Sequence, residues 1–276
     1  MDVRKGCCAL GFAAAALCGP LCAQPVVEDE ARAESPWKIG FAFGYGKRSN
    51  PLVQSDDIPV IVDIDIAWYG KRWFFDNGDV GRTLVDNERF TLNAIGRVNS
   101  DRVFFSKTDT EYVEIFSFAS AAAVPPEPIE VPDRDYAFEA GLELLMDGEW
   151  GFAQASAHHD VSNTHDGYEI FANYGRTFRR NRWFVEPSLG ASYKSESMND
   201  YYWGVRPLEA NLALPEYQAG AGWNTHAKLS TSYQMTRNWS FVASARYERL
   251  NGAAWASPLA EERSVKSAFA GFNFRF

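Results

Sequence analysis

The sequence predicts an all-β chain, an antiparallel up-and-down β-barrel that crosses a membrane with its strands. Three observations carry that expectation. Apolar and polar residues alternate with period two over many segments. Aromatic residues make up 15% of the 276-residue chain, and they gather at the ends of those segments. Short and long connections alternate along the chain. Successive side chains on a strand point to opposite faces, so period two is the pattern of a wall with lipid on one side and water on the other. After residue 23 no apolar run approaches the ~20 residues that a spanning helix needs.

Residues 1–23 read as a secretory signal peptide. Arg4 and Lys5 form a basic start, Gly6 to Cys22 is small and apolar, and Ala23 precedes Gln24 at a plausible cleavage point. A membrane anchor fits less well because Gly19-Pro20 interrupts the run. A lipoprotein signal fits less well because Leu17 and Leu21 precede Cys18 and Cys22, where a small residue is wanted. All four cysteines (Cys7, Cys8, Cys18, Cys22) fall in this segment. A processed chain would hold no disulfide, no cysteine-ligated zinc and no thiol nucleophile. Residues 24–36 form an acidic periplasmic lead-in with Glu28, Asp29, Glu30 and Glu34. Residues 37–276 remain as one barrel domain.

Trp37 to Gly46 shows the alternation most plainly. Trp37, Ile39, Phe41, Phe43 and Tyr45 share one face, and Lys38, Gly40, Ala42, Gly44 and Gly46 the other. Val60, Val62, Ile64, Ile66 and Trp68 oppose Asp63, Asp65 and Tyr69. Phe90 to Val98 opposes Thr91, Asn93 and Arg97. Tyr136 to Met146 opposes Glu139, Gly141 and Glu143. Trp183 to Tyr193 opposes Glu186, Ser188, Gly190 and Lys194. Trp239 to Tyr247 opposes Ser240, Arg246 and Glu248. Ala268 to Phe276 opposes Ser267, Gly271, Asn273 and Arg275. Trp and Tyr at strand ends read as interfacial girdles. The charges Asp63, Asp65, Glu139, Glu143, Glu186, Arg246 and Glu248 are expected to face the lumen. In a dry core their desolvation would be strongly unfavourable, which sets a soluble sandwich aside.

Tight turns are expected at Gly70-Lys71, Asn99-Ser100-Asp101, Asp147-Gly148-Glu149, Arg179 to Arg182 and Thr236-Arg237-Asn238. Longer connections are expected near 47–56, 85–88, 117–134, 161–167, 196–221 and 251–264. Short periplasmic turns and long outer loops are the habit of outer-membrane barrels. Counting through this rhythm gives about twelve strands with both termini periplasmic; ten is the alternative. The twelve include 72–84 and 102–116, where the alternation is weakest. Pro125, Pro126, Pro128 and Pro132 make 117–134 irregular. The last strand, with Phe272, Phe274 and terminal Phe276, resembles the signal by which the barrel-assembly machinery accepts clients. The expected address is the outer membrane, among its lipid and lipopolysaccharide.

Chemistry is sparse. A net charge of −9 argues against nucleic-acid binding. His158, His159, Asp160, Ser162 and His165 are the nearest approach to a Ser-His hydrolase or a metal site. They flank a loop apex, where geometry is least fixed, and a solvated turn is the preferred reading. No catalytic residue, metal ligand or cofactor is assigned. Asp56-Asp57 and Glu261-Glu262 read as solvated acidic loops.

One stretch is more specific. Tyr193 to Val205, with Asn199-Asp200-Tyr201-Tyr202-Trp203-Gly204-Val205 at its end, resembles the MipA/OmpV family of MltA-interacting outer-membrane proteins. Trp68-Tyr69-Gly70, Pro187 to Gly190, Trp239-Ser240-Phe241, Arg246 to Leu250 and Ser257-Pro258-Leu259 are similar in order and spacing. The likeness is strongest over 183–276 and weakest over 99–135. It implies an outer-membrane barrel without established catalytic residues. It also implies a scaffold joining a murein hydrolase, a lytic transglycosylase, to a peptidoglycan synthase. The periplasmic turn Arg179, Arg180, Arg182 and the acidic lead-in are the candidate contacts. The alternatives are a narrow diffusion channel, motivated by the polar inner face, and, further behind, a lipid-modifying barrel or an adhesin using 117–134 and 196–221.

Overall fold

A computed structural model describes residues 36–105 and 131–275. It is a closed antiparallel barrel. In chain order the strands are β1 (Trp37–Arg48), β2 (Ile58–Tyr69), β3 (Trp73–Asp76), β4 (Asp79–Asp86), β5 (Thr91–Val98), β6 (Phe138–Gly148), β7 (Gly151–Asp160), β8 (Tyr168–Gly175), β9 (Phe178–Arg180), β10 (Trp183–Lys194), β11 (Gly222–Gln234), β12 (Trp239–Arg249) and β13 (Ser264–Arg275). Each pairs with the next in chain order except β8 with β9, and β13 closes on β1. β8 and β9 both pair with β10, and Gly175–Ser188 and Phe178–Val185 lie in one continuous register. They form a single wall element, which makes twelve. The break between them has a chemical cause. The Arg176 N–H donates to the Pro187 carbonyl (3.2 Å), but proline has no N–H to return.

The outward face is as the alternation predicts. At the end carrying the short turns, Trp37 meets Trp68 (ring centroids 6.4 Å), Trp150 stacks on Tyr174 (6.0 Å), Trp183 meets Tyr233 (4.9 Å) and Trp239 meets Phe274 (4.9 Å). At the other end Tyr168 meets Tyr193 (6.1 Å), which meets Trp223 (5.3 Å). These are two girdles, separated by exposed aliphatic residues such as Ile64, Leu142 and Leu189.

Several sequence expectations are corrected. Segment 72–84 is two strands, because Asn77-Gly78 turns with positive φ at both residues (48° and 105°), the requirement of a two-residue hairpin. β5 therefore runs toward the long-loop end, opposite to the direction expected. The connection near 85–88 becomes a short-end turn. Asn99-Ser100-Asp101 opens a long outer connection, and Asp101–Phe104 is a 3-10 turn rather than strand; the rest of 102–116 lies outside the described residues. The strand count survives because one segment gives two strands while 101–105 gives none. Lastly, Val60 leaves the outward row. Gly44 and Tyr45 of β1 together oppose the single residue Ile61, since the register steps from Phe43–Val62 to Gly46–Val60. That bulge turns Val60 inward, where it is buried with Ala42, Val242 and Phe269. Gly44 and Gly271 make this packing possible. A Cβ on Gly44 would lie 2.2 Å from the Ala270 carbonyl oxygen, and one on Gly271 2.4 Å from that of Phe43.

Candidate functional site

Two regions gather the side chains that matter: the lumen wall and the mouth at the long-loop end. In the lumen, Arg97 on β5 is the hub. Its guanidinium reaches Glu139 on β6 (2.8 Å) and Glu169 on β8 (2.5 Å). Glu139 also accepts from Asn99 Nδ2 (2.6 Å) and lies 3.4 Å from His165 Nε2. The other nitrogen of that ring, Nδ1, accepts from the Gly167 N–H (2.9 Å). Next along β6, Glu143 accepts from Asn93 (3.0 Å) and Gln154 (2.7 Å). Lys194 on β10 bonds Asp101, and Arg246 pairs with Glu248 (2.9 Å). Charges removed from water must be paired and hydrogen-bonded to be tolerated; apart from Arg246–Glu248, which share one strand, these bonds tie together different elements of the chain.

The outer mouth is covered by an apolar core. Leu52, Phe104, Phe105, Met198, Tyr202, Trp203, Val205, Leu214, Ala219, Leu250, Ala254 and Leu259 are buried against one another, with Val265 below them. They come from the connections after β1, β5, β10 and β12; those after β10, β12 and β1 follow one another round the ring, and the one after β5 comes from the opposite side. Helix α1 (Glu196–Trp203) is its centre. The Ser195 hydroxyl starts it by accepting from the Met198 N–H, as an N-cap does. The short α2 (Gly252–Trp255) is capped likewise by Asn251. Ser257 Oγ donates to the Trp203 carbonyl (2.5 Å), Tyr217 OH to that of Ala253 (2.8 Å), and Asn50 Nδ2 to that of Phe104 (3.3 Å). Arg48 lies 4.5 Å over the Phe104 ring.

The buried Arg134 locks the 131–137 segment onto this cap. It pairs with Glu209 (2.7 Å), donates to the Gly204 carbonyl (3.0 Å) and lies over the Tyr201 ring (5.7 Å). Burial works against the Glu209 carboxylate, but Arg134 and Arg206 more than offset it and hold the group below the ordinary glutamate range. Burial pushes the Asp101 carboxyl up despite Lys194 beside it, and it pushes the Tyr202 phenol up as well.

The seven residues Asn199 to Val205 thus form the cap's centre. Asn199 Nδ2 donates to the Gly220 carbonyl (2.8 Å), Asp200 accepts from the Ala219 N–H (2.8 Å), and the Tyr201 hydroxyl accepts from the Asp135 N–H (2.8 Å). Tyr202, Trp203 and Val205 are core. At Gly204 a Cβ would fall 2.3 Å from the Asp200 carbonyl oxygen, so the helix can end there only on glycine.

Of the residues expected in the lumen, Glu139 and Glu143 are buried there, and Arg246 with Glu248 forms one pair. Asp65 accepts from Asn77 (3.1 Å) and lies 3.6 Å from Arg275. Glu186 accepts from Thr177 (2.6 Å). The Asp63 side chain is not among those described, nor is Phe276; Phe272 and Phe274 sit on the outward face beside Phe43 and Trp239. The alternation puts Arg97 and Lys194 on polar faces but carries no signal for their partners. It misses Glu169 altogether.

The histidine cluster does not assemble a triad. Ser162 Oγ donates to Asp160 (2.6 Å) and accepts from the Phe138 N–H (3.0 Å). Asp160 also accepts from the N–H groups of Ser162, His165 and Asp166 (2.7–3.0 Å). His158 is buried in the wall and His165 in the Arg97 network. The group shapes a loop.

Arg179, Arg180 and Arg182 do not share one surface. Arg179 lies inward over the Phe184 ring (5.1 Å). Arg180 pairs in register with the outward Trp183. Arg182 lies in the turn and reaches the Met235 carbonyl (3.5 Å).

A closed twelve-element barrel with two lipid-facing aromatic girdles and a charged interior is an outer-membrane β-barrel of a Gram-negative bacterium. The family model described as MltA-interacting protein MipA matches residues 39–276, and the chain belongs to that family. It is 26% identical over 145 residues to the MltA-interacting protein of Escherichia coli (strain K12), a match covering 52% of this chain and 58% of that relative. It is 28% identical over 103 residues to Outer membrane protein OmpV of Vibrio cholerae, covering 37% and 40%. The matched stretches thus span about half the length of these relatives. Among solved structures the NanC porin is similar with a TM-score of 0.46 at 10% identity, covering 86% of this chain and 100% of that one.

Proposed function

We propose that this chain is a non-enzymatic scaffold of the outer membrane, a barrel with a closed lumen that acts through its periplasmic surface on peptidoglycan-remodelling enzymes. The observation that carries the reading is the cap. An apolar core built from four connections is what a closed plug needs and what a general solute path does not. The name of the Escherichia coli relative, MltA-interacting protein, supports a murein hydrolase as one partner, with a peptidoglycan synthase as the second. In this reading residues 1–23 are removed on export and the acidic stretch 24–36 hangs in the periplasm. The barrel-assembly machinery reads Phe272, Phe274 and Phe276, and lipid and lipopolysaccharide surround the wall. Arg182 in the periplasmic turn is the main contact, with Arg179, exposed on the inner side of the same rim, as a second point.

Mild crosslinking in envelopes followed by purification of the barrel tests it. A lytic transglycosylase is expected to co-purify and to be lost with Arg179→Gln/Arg182→Gln. Recovery of no murein enzyme contradicts it. The polar inner face supports a second reading, a narrow diffusion channel, which requires the cap to move aside.

A further inference from the structure

We propose that Arg176 and Arg180, with Phe178 between them, form a site on the lipid-facing wall for the phosphodiester headgroup of an anionic phospholipid in the periplasmic leaflet. The register fixes their direction. Gly175–Ser188, Phe178–Val185 and Arg180–Trp183 are pairs, and Arg176 bonds Pro187. Tyr174, Arg176, Phe178 and Arg180 therefore form one outward row beside Leu189, Pro187, Val185 and Trp183, whereas Thr177 and Arg179 turn inward toward Glu186 and Phe184.

Height is fixed as well. The row ends at the 181–182 turn, among the girdle pairs Trp150–Tyr174 and Trp183–Tyr233. Because Pro187 returns no N–H, the Arg176 carbonyl lacks its ladder bond. An unpaired backbone group is not tolerated in hydrocarbon, so this point of the wall lies at headgroup level.

Charge then selects the ligand. Arg97, Arg134 and Arg246 each hold a carboxylate. Among the described residues, Arg176 and Arg180 have none within ion-pair distance, and both are exposed. Arg176 lies 5.5 Å from the Phe178 ring, an arrangement that braces a guanidinium while leaving its donor edge outward. Arg176 and Arg180 lie four residues apart on one strand face, about 13 Å, a span that two long side chains leaning toward each other across Phe178 can close on one phosphate with charge-assisted bonds. Val185 lies level with Phe178 between the two arginines, and beyond Arg176 the wall continues as Tyr174 and the exposed Leu189, a surface for acyl chain. A soluble anion would gain nothing from that flank, whereas basic clusters at membrane interfaces are suited to acidic lipid.

Native mass spectrometry of the intact barrel tests the site, using phosphatidylglycerol and phosphatidylcholine of identical chains as probes. The wild type is expected to retain phosphatidylglycerol preferentially, and Arg176→Gln/Arg180→Gln to lower retention roughly fivefold for each arginine lost. Arg89→Gln, at an exposed turn elsewhere on the same rim, should leave it unchanged. Equal retention of the two lipids by the wild type overturns the proposal, and that comparison stands even if the double variant fails to fold. Full displacement of phosphatidylglycerol by excess inorganic phosphate also overturns it, since the site would then read phosphate alone.

Discussion

The two ends of the barrel are built on opposite principles. At the periplasmic end the strands are joined by turns such as 70–72, 149–150 and 181–182, with side chains exposed. At the outer end four connections contribute a shared apolar core and pin one another by side-chain bonds to backbone carbonyls. The barrel interior, where a soluble protein would keep its core, is instead occupied by Arg97, Glu139, Glu143, Glu169 and their partners. The difference teaches where each solvent allows burial to stabilise the fold. The wall already spends most of its apolar residues on lipid, so the large apolar core forms where the chain leaves the membrane on its longer connections, and the cluster of Ala42, Val60, Val242 and Phe269 inside the wall is small beside it.

Truncations in the cap should break this contrast most strongly. Trp203→Ala or Tyr202→Ala removes a fully packed ring, a loss of about 3–5 kcal/mol. It should fall on the cap alone: limited proteolysis should cut within 195–221 while the barrel keeps its heat-modifiable gel mobility. Trp183→Ala, which removes an exposed girdle ring at the bare end, should leave those loops resistant.

Glu139→Gln comes next. It weakens the bonds to Arg97 and His165 but leaves Glu169 in place, so about 3 kcal/mol is expected, the low end for a broken buried pair. The readout is the midpoint of unfolding in urea. A shift as small as that of a rim variant would show that the lumen charges do not brace the wall.

The smallest effect concerns acid. Glu209 is held below its ordinary range, so its pairing with Arg134 stabilises the cap fully above the unfolded-state value. That contribution is lost as pH falls through the lowered folded value. Proteolysis by an acid protease should therefore reach the 204–210 segment more readily on acidification below the ordinary glutamate range. Glu209→Gln should flatten that dependence.

How much of this was legible follows from what is local. Strand faces were readable because alternation is a property of neighbours, and Trp183 to Lys194 fell as expected. The β3–β4 hairpin was missed although Asn77-Gly78 carries its signal; the surrounding Trp73-Phe74-Phe75 reads equally well as part of a longer strand. Val60 could not be placed, because its flip is imposed by a bulge in a different strand. Ser195, three residues before Met198, is a readable helix start at the edge of the expected long connection 196–221. The lumen network was not legible: Arg97 lies 42 residues from Glu139 and 72 from Glu169, and no local pattern chooses partners at that distance. Asn199 to Val205 stood out as a motif, but its role as the seat of the cap needed four connections to meet in space.

Packing of the cap closes the outer mouth in this account of the barrel. Planar-bilayer recording of the wild type beside Trp203→Ala tests it most directly. No conductance steps from the wild type, and steps from the variant once its cap is loosened, are the predicted result. Equal steps from both proteins would contradict it, since the cap would then seal nothing.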